Sequence, residues 1–280
     1  MDGTRAGLGR SAGPLRPVGA AALAWRTEAI QVEINTVTWV VGGQRLTAAA
    51  GSVVGNRYRD NYDVVHLDGT RPLAVVADGM GDGPGSRAAG RTAVDVFVRH
   101  AVSAGGPAAL RAAVADVQQA VRRAGHGLPD LTGCTLTAFV ADPAADDCAA
   151  WLVQLGDSRA YRLRDGLLEL LTVDHTIAWL GTLHGWFTPD SPQARAARYQ
   201  LTRYVGHPDA PEPDLVNVGL RSGDLFLLCT DGISDQVRYE RLSQVLKDEA
   251  NSPQTAVQTL LSDSLQIGDD NATAALVRVD

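Results

Sequence analysis

Three times along this chain an apolar run stops at an aspartate. The phrases are LAVVADG, reaching Asp78, WLVQLGDS, reaching Asp157, and LFLLCTDG, reaching Asp231. A further apolar run, Ala272–Val279, begins directly after Asp270-Asn271, and Asp63 immediately precedes Val64-Val65. Short continuous apolar runs bounded by turn residues are what strands buried on both faces require. Buried strands of one sheet system end on a common rim, so a fold that houses all these runs gathers several carboxylates in one place. Like charges at close range oppose each other's ionisation, and such a cluster needs a cation within it. Only oxygen ligands are on offer, with no close Cys/Cys or Cys/His spacing. Hard octahedral ions, Mg²⁺ or Mn²⁺, suit that donor set.

Asp-Gly is also the commonest two-residue hairpin connection. Asp68-Gly69 and Asp165-Gly166 lie between polar-flanked strands with arginine nearby and read as turns. Asp78 differs because GMGDGPG follows it, too glycine-rich for regular structure. Asp231 differs because ISDQVRYE leads from it into a helix.

Roughly the first 28 residues, rich in Gly, Ala, Pro and Arg, read as a flexible arm, leaving one domain over 29–280. Two strands, Ile30–Val41 and Leu46–Val54, flank the turn Gly42-Gly43. Strands follow over Tyr62–Leu67 and Pro72–Ala77, then helices over Ser86–Ala101 and from Pro107 to Gly125. Strands return at Thr135–Ala141, Ala149–Leu155, Ala160–Arg164 and Leu167–Leu171. Residues 176–206 break the pattern with Trp179, Trp186, Phe187 and several arginines. Leu225–Cys229 is another strand, followed by helices near Tyr239–Ala250 and Pro253–Leu265 and the final strand Ala272–Val279. Hairpins dominate the strand connections and helices come in pairs, a pattern that predicts an α+β fold with mostly antiparallel sheets.

Arginine and lysine number 25 against 32 aspartates and glutamates, a formal charge of −7. That balance argues against a general nucleic-acid or anionic-membrane binder. No apolar run approaches a membrane span. The three cysteines cannot all pair internally, and Cys134 and Cys229 sit in apolar runs, which fits a reducing, cytoplasmic compartment.

The order of these motifs resembles the metal-dependent Ser/Thr protein phosphatases of type 2C, in their bacterial branch. The resemblance runs from about Ala48 to Asp280. It rests on GNRYRDNYD (55–63), VVADGMGDG, SRAAGRTAVDVF, GCTLTAFV, LGDSRAYRLRDGLLELLTVDHT, LTRYVG, SGDLFLLCTDGISD and DDNATAALVRV. No single piece is decisive, but so many in the family order are highly specific. The resemblance implies two stacked antiparallel sheets with helices on both outer faces, and a flap over about 176–206. It implies that Asp78 bridges two metal ions, with the Gly79 carbonyl in the shell, and that Asp231 and Asp270 hold one of them. Asp63 supports the same site and, with Asp78, carries the catalysis. Asp157 corresponds to a third, weaker metal position.

Two departures stand out. Tyr62 occupies the place of a glutamate that ligates the second metal, with Asp60 or Asp82 as nearby substitutes. Tyr58 aligns with the phosphate-binding arginine, but Arg57 and Arg59 flank it and are the expected phosphate contacts. Met80 stands where animal relatives carry histidine, and His175 reads as a hydrogen-bonded structural residue. The implied activity is hydrolysis of phosphoserine and phosphothreonine in proteins, by a monomer using Mn²⁺ or Mg²⁺. Two alternatives stand beside it: the same chemistry on a small phosphomonoester, and a regulatory pseudophosphatase, which Tyr62 alone supports.

Overall fold

The computed structural model describes residues 32–101, 106–141 and 148–280; the expected arm over 1–28 lies outside the described residues. In chain order the elements are β1 (Ile34–Val41), β2 (Gln44–Val53), β3 (Val64–Leu67), β4 (Leu73–Ala77), α1 (Pro84–Ala101) and α2 (Pro107–Ala124). Then come β5 (Leu136–Ala141), β6 (Ala149–Leu155), β7 (Arg159–Arg164), β8 (Leu167–Leu170), α3 (Ile177–Leu183) and α4 (Pro192–Ala197). The remainder is β9 (Asp214–Gly219), β10 (Leu225–Cys229), α5 (Asp231–Ser234), α6 (Tyr239–Asp248), α7 (Pro253–Ile267) and β11 (Ala272–Val279).

The strands form two antiparallel sheets. One has six strands in the order β1-β2-β11-β10-β7-β8, the other five in the order β3-β4-β5-β6-β9. Alternate residues of the central strands point to different cores, and this is why those strands read as unbroken apolar runs. Leu73, Val75 and Ala77 of β4 face α1 and α2, while Ala74 and Val76 face the other sheet. Leu225, Leu227 and Cys229 of β10 face α6 and α7, while Phe226 and Leu228 turn inward. Between the sheets Phe139 and Phe226 meet with ring centroids 5.6 Å apart. Both faces of each sheet are thus covered, the four-layer arrangement expected from the resemblance.

The register fixes where each strand end falls. Val64 pairs with Ala77, Val76 with Thr137, and Leu136 with Leu155. Asp63, Asp78 and Asp157 therefore leave the five-stranded sheet along one edge. In the six-stranded sheet Cys229 pairs with both Ala274 and Arg159, which brings Asp231, Asp270 and Ser158 to the corresponding edge. The link Gly156-Asp157-Ser158 crosses between the sheets, since β6 belongs to one and β7 to the other.

The hairpin turns lie at the opposite ends of their strands. Asp165 and Gly166 have φ of 51° and 78°, the left-handed pair that a two-residue turn between right-twisted strands requires. Asp68 is held by donors: its Oδ1 accepts the Arg71 N–H at 2.9 Å and the Thr70 N–H at 3.0 Å. Burial pushes its carboxyl up, but the Arg71 and Thr70 bonds more than offset this and keep it far below the usual range. Asp165-Gly166 is the two-residue turn its context indicates, whereas Asp68-Gly69 opens a longer connection, residues 68–72, between β3 and β4.

Candidate active site

A cavity of about 530 Å³ opens at the shared rim, lined by Asp78, Asp157, Asp231 and Asp270 together with Gly79 and Asp82. Asp78 is fixed through its backbone. Its N–H donates to Thr135 Oγ1 at 2.8 Å, and its carbonyl accepts the Thr135 N–H at 2.8 Å. The same Thr135 hydroxyl lies 2.7 Å from Ser158 Oγ, which ties the Asp78 turn to the crossover carrying Asp157. Gly156 in that crossover has φ of +104°, and a Cβ there would come within 2.6 Å of Thr135 Cγ2, so only glycine fits. Gly79 is equally enclosed, because an added Cβ would sit 2.7 Å from the Ser86 carbonyl oxygen.

Asp63 lies beneath the pocket rather than on its wall. Its Oδ2 accepts the Thr230 hydroxyl at 2.8 Å, and Thr230 Oγ1 in turn accepts the Thr273 N–H at 3.1 Å. One short chain of bonds thus spans both sheets. Asn271 completes the floor: its Oδ1 accepts the Tyr62 N–H at 2.9 Å, and its own N–H donates to Asp270 Oδ1 at 2.8 Å.

The electrostatics contrast sharply with those of Asp68. Burial, and then the neighbouring Asp231, Asp63, Asp157 and Asp270, push the Asp78 carboxyl well above its ordinary value. Asp231 is raised likewise, by burial and then by Asp157 and Asp270. Burial lifts Asp157 to about 7, with Asp174 and Asp235 adding to it. Asp63 is lifted by burial to about 6, against hydrogen bonds from Thr273 and Thr230 that lower it. Asp270 is raised by burial while Arg57 pulls it down. The Asp231 Oδ1 atom is buried and has no hydrogen-bond partner. Among the described residues no three acidic, imidazole or thiol side chains close on a single point. The carboxylates share a cavity without forming a closed coordination shell. A donor set of oxygens, buried, mutually repelling and with one orphaned atom, fits divalent cations.

The arginines fall elsewhere. Arg57 and Arg59 are exposed, and neither lines the cavity. The Arg57 guanidinium instead lies over the Tyr58 ring, 5.2 Å from its centroid. Tyr58 and Tyr62 both line the cavity and meet edge to face with centroids 5.8 Å apart. The Tyr62 hydroxyl donates to the Asp82 backbone carbonyl. Asp60 is paired with Arg87 at 2.8 Å, whereas Asp82 is on the cavity wall.

From the 176–206 excursion Tyr199 and Leu201 reach the cavity, not its other aromatics. Trp186 stacks on His184 at 5.4 Å, and Phe187 packs against Gly181. Arg198, at the end of α4, pairs with Asp235 at 3.2 Å and fastens the excursion beside the rim. His175 is buried and structural: its Nδ1 accepts the Gly156 N–H at 3.1 Å and its Nε2 lies 3.0 Å from Asp214 Oδ2.

Comparison with known proteins identifies the family. Residues 51–266 match the family described as Protein phosphatase 2C. The Serine/threonine protein phosphatase PstP of Mycobacterium tuberculosis is 34% identical over 84% of this chain, which spans about half (45%) of that relative's length. The Serine/threonine phosphatase stp of Listeria monocytogenes is 27% identical over 79% of this chain and 90% of its own. The crystal structure of the PstP catalytic domain in complex with two manganese ions matches with a TM-score of 0.71 at 32% identity, covering 84% of this chain and 98% of that one. With the family model matched over residues 51–266, the chain belongs to the protein phosphatase 2C family.

Proposed function

We propose that this chain is a metal-dependent phosphatase that hydrolyses phosphoserine and phosphothreonine in proteins. The observation that carries the reading is the rim itself: Asp78, Asp157, Asp231 and Asp270 in one cavity, each raised first by burial and then by neighbouring carboxylates. The relatives named above are serine/threonine phosphatases, and one crystal neighbour holds two manganese ions. In this proposal Asp78 and the Gly79 carbonyl hold Mn²⁺ or Mg²⁺, with Asp231 and Asp270 on one ion and Asp157 on a third, weaker position. Asp63 supports them from below through Thr230. Bound divalent ions supply a water of lowered pKa and a sink for phosphoryl charge.

The chain's own residues orient these groups. Thr135 sets the Asp78 turn, Asn271 sets Asp270, and Gly156 allows the crossover to place Asp157. No helix among the described residues is long and apolar enough to cross a membrane, and the proposed setting is the cytoplasm. The test is release of phosphate from a phosphothreonyl peptide with Mn²⁺, with sugar and nucleotide phosphates as competing substrates. Activity should vanish with chelator and with Asp78→Ala. Turnover that persists in excess chelator would defeat the proposal, and preference for a sugar or nucleotide phosphate would redirect its substrate.

A further inference from the structure

A second cavity, of about 520 Å³, lies beside the acidic one. Asp60, Tyr62, Asp82, Gly83, Arg87 and Arg91 are on its wall. Tyr62, Asp82 and Gly83 line both cavities, so a single layer of residues partitions them. At about 3.3–3.6 Å per residue, an extended peptide with its phosphorylated residue in the acidic cavity carries a side chain about two to three positions away into the second.

The two cavities differ in charge. Among the described residues the acidic one has no lysine, arginine or histidine on its wall, whereas two arginines line the second. Arg87 and Arg91 are four apart on α1 and so share one face of that helix. Arg87 is already committed. Its guanidinium pairs with Asp60 at 2.8 Å and lies 5.7 Å from the Tyr62 ring centroid. That pairing offsets Asp60, while Asp82 stands on the wall shared with the carboxylate rim. The neutral Tyr62 ring adds no charge of its own to the partition. Arg91 is exposed, and among the described residues it makes no ion pair or hydrogen bond. A guanidinium is a planar fork of donors that matches carboxylate and phosphate geometry. One left uncommitted in a cleft beside a reaction centre is open to the substrate.

We propose that the second cavity is a specificity subsite, in which Arg91 binds an anionic side chain of the substrate, a carboxylate or a second phosphate, about two to three residues from the one being dephosphorylated. Arg87 is the positioning residue, holding the wall through Asp60 and Tyr62. The subsite rests on the phosphatase reading of the acidic cavity and names its substrate class: phosphoproteins with an acidic flank.

The experiment uses the Mn²⁺-loaded full chain and a set of phosphothreonyl peptides. Each carries Glu, Gln, Lys or a non-hydrolysable phosphonate analogue of phosphoserine at a position about two or three residues to either side of the phosphothreonine. At the favoured position kcat/KM for Glu or the phosphonate should exceed that for Gln by about ten-fold, mostly through KM, as one hydrogen bond between charged groups would give. Lys there should be the poorest. Whichever anion gains more identifies the source of the charge. Arg91→Gln should shrink the ratio of Glu to Gln to about two-fold or less, the residue of long-range attraction at an exposed site. Arg91→Glu should invert the order in favour of Lys, a reversal that a merely structural role for Arg91 does not produce. Equal kcat/KM for all the peptides in the wild type, or a preference for anions that survives Arg91→Gln, overturns the subsite and leaves the phosphatase reading standing. Turnover that persists in excess chelator or in Asp78→Ala overturns the phosphatase reading, and the subsite with it.

Discussion

Asp157→Asn should make the chelated protein more stable, and increasingly so as pH rises. The Asp157 carboxyl is lifted from an ordinary 3.8 to about 7, first by burial and then by Asp174 and Asp235. A raised carboxyl binds its proton more tightly in the folded than in the unfolded chain. Its contribution is therefore fully favourable below about pH 4 and is lost as pH climbs towards 7. A rise from 3.8 to about 7 corresponds to about 4 kcal/mol for an isolated group. Asp157 keeps some solvent contact and shares protons with its neighbours, so roughly 2 kcal/mol at pH 8 is the reasoned figure. For a domain of this size that is a rise of about 4–8 °C in Tm. Differential scanning calorimetry in EDTA, at pH 5 and pH 8, reads it directly. The gain should be largest at pH 8 and about two-fifths of that at pH 5, because the loss begins at the unfolded value of 3.8 and is complete only above the folded value of about 7. An equal shift at both pH values, or a loss at pH 8, would refute the claim that this carboxylate is electrostatically strained.

Tyr62→Glu adds an anionic oxygen beside Asp82 and should tighten Mn²⁺ binding by about ten-fold, since cation affinity follows the ligand charge count; titration calorimetry giving unchanged affinity and stoichiometry would show Tyr62 to be no handicap. Arg164→Ala should cost about 3 kcal/mol in urea unfolding, because it strips the cation from an interior carboxylate. Arg164 Nε reaches Asp224 Oδ1 at 2.7 Å, and the Asp224 side chain is 1% exposed. His175 should titrate by NMR below the ordinary histidine value of 6.5, because burial opposes its charged form more than Asp214 favours it. A midpoint at or above 6.5 would contradict that balance.

The central strands were legible because both their faces are buried. Leu225–Cys229, Ala149–Leu155 and Ala272–Val279 have the same bounds in sequence and structure. β9 escaped notice because it is an edge strand. DLVNVG is half-exposed along most of its length and follows Pro211-Glu212-Pro213, so neither an apolar run nor a strict alternation announces it. The acidic rim was readable from chemistry, since an apolar run ending in aspartate signals a buried carboxylate whatever the register. The aromatic wall was not. Tyr58, Tyr199 and Leu201 reach the cavity from loops whose paths depend on contacts made far away in sequence. One is the bond from the Arg57 N–H to the Asp269 carbonyl at 2.9 Å. Trp179 and Trp186 drew attention by their size, yet they stand 44% and 64% exposed and away from the cavity.

The position of β11 bears on how the molecule comes into being. It is the last strand in chain order, yet it lies inside its sheet, between β2 and β10. The hydroxyls of Ser52 and Thr273 meet at 2.6 Å across a separation of 221 residues. Until β11 has left the ribosome, β1-β2 and β10-β7-β8 have no strand to join them, and Asp270 is missing from the rim. Pairings of such long range close slowly, and the waiting strands present open edges. A chain waiting for β11 leaves the edges of β2 and β10 open to wrong pairing until that strand arrives. The rim of carboxylates is therefore completed only when β11 inserts between β2 and β10 and brings Asp270 with it.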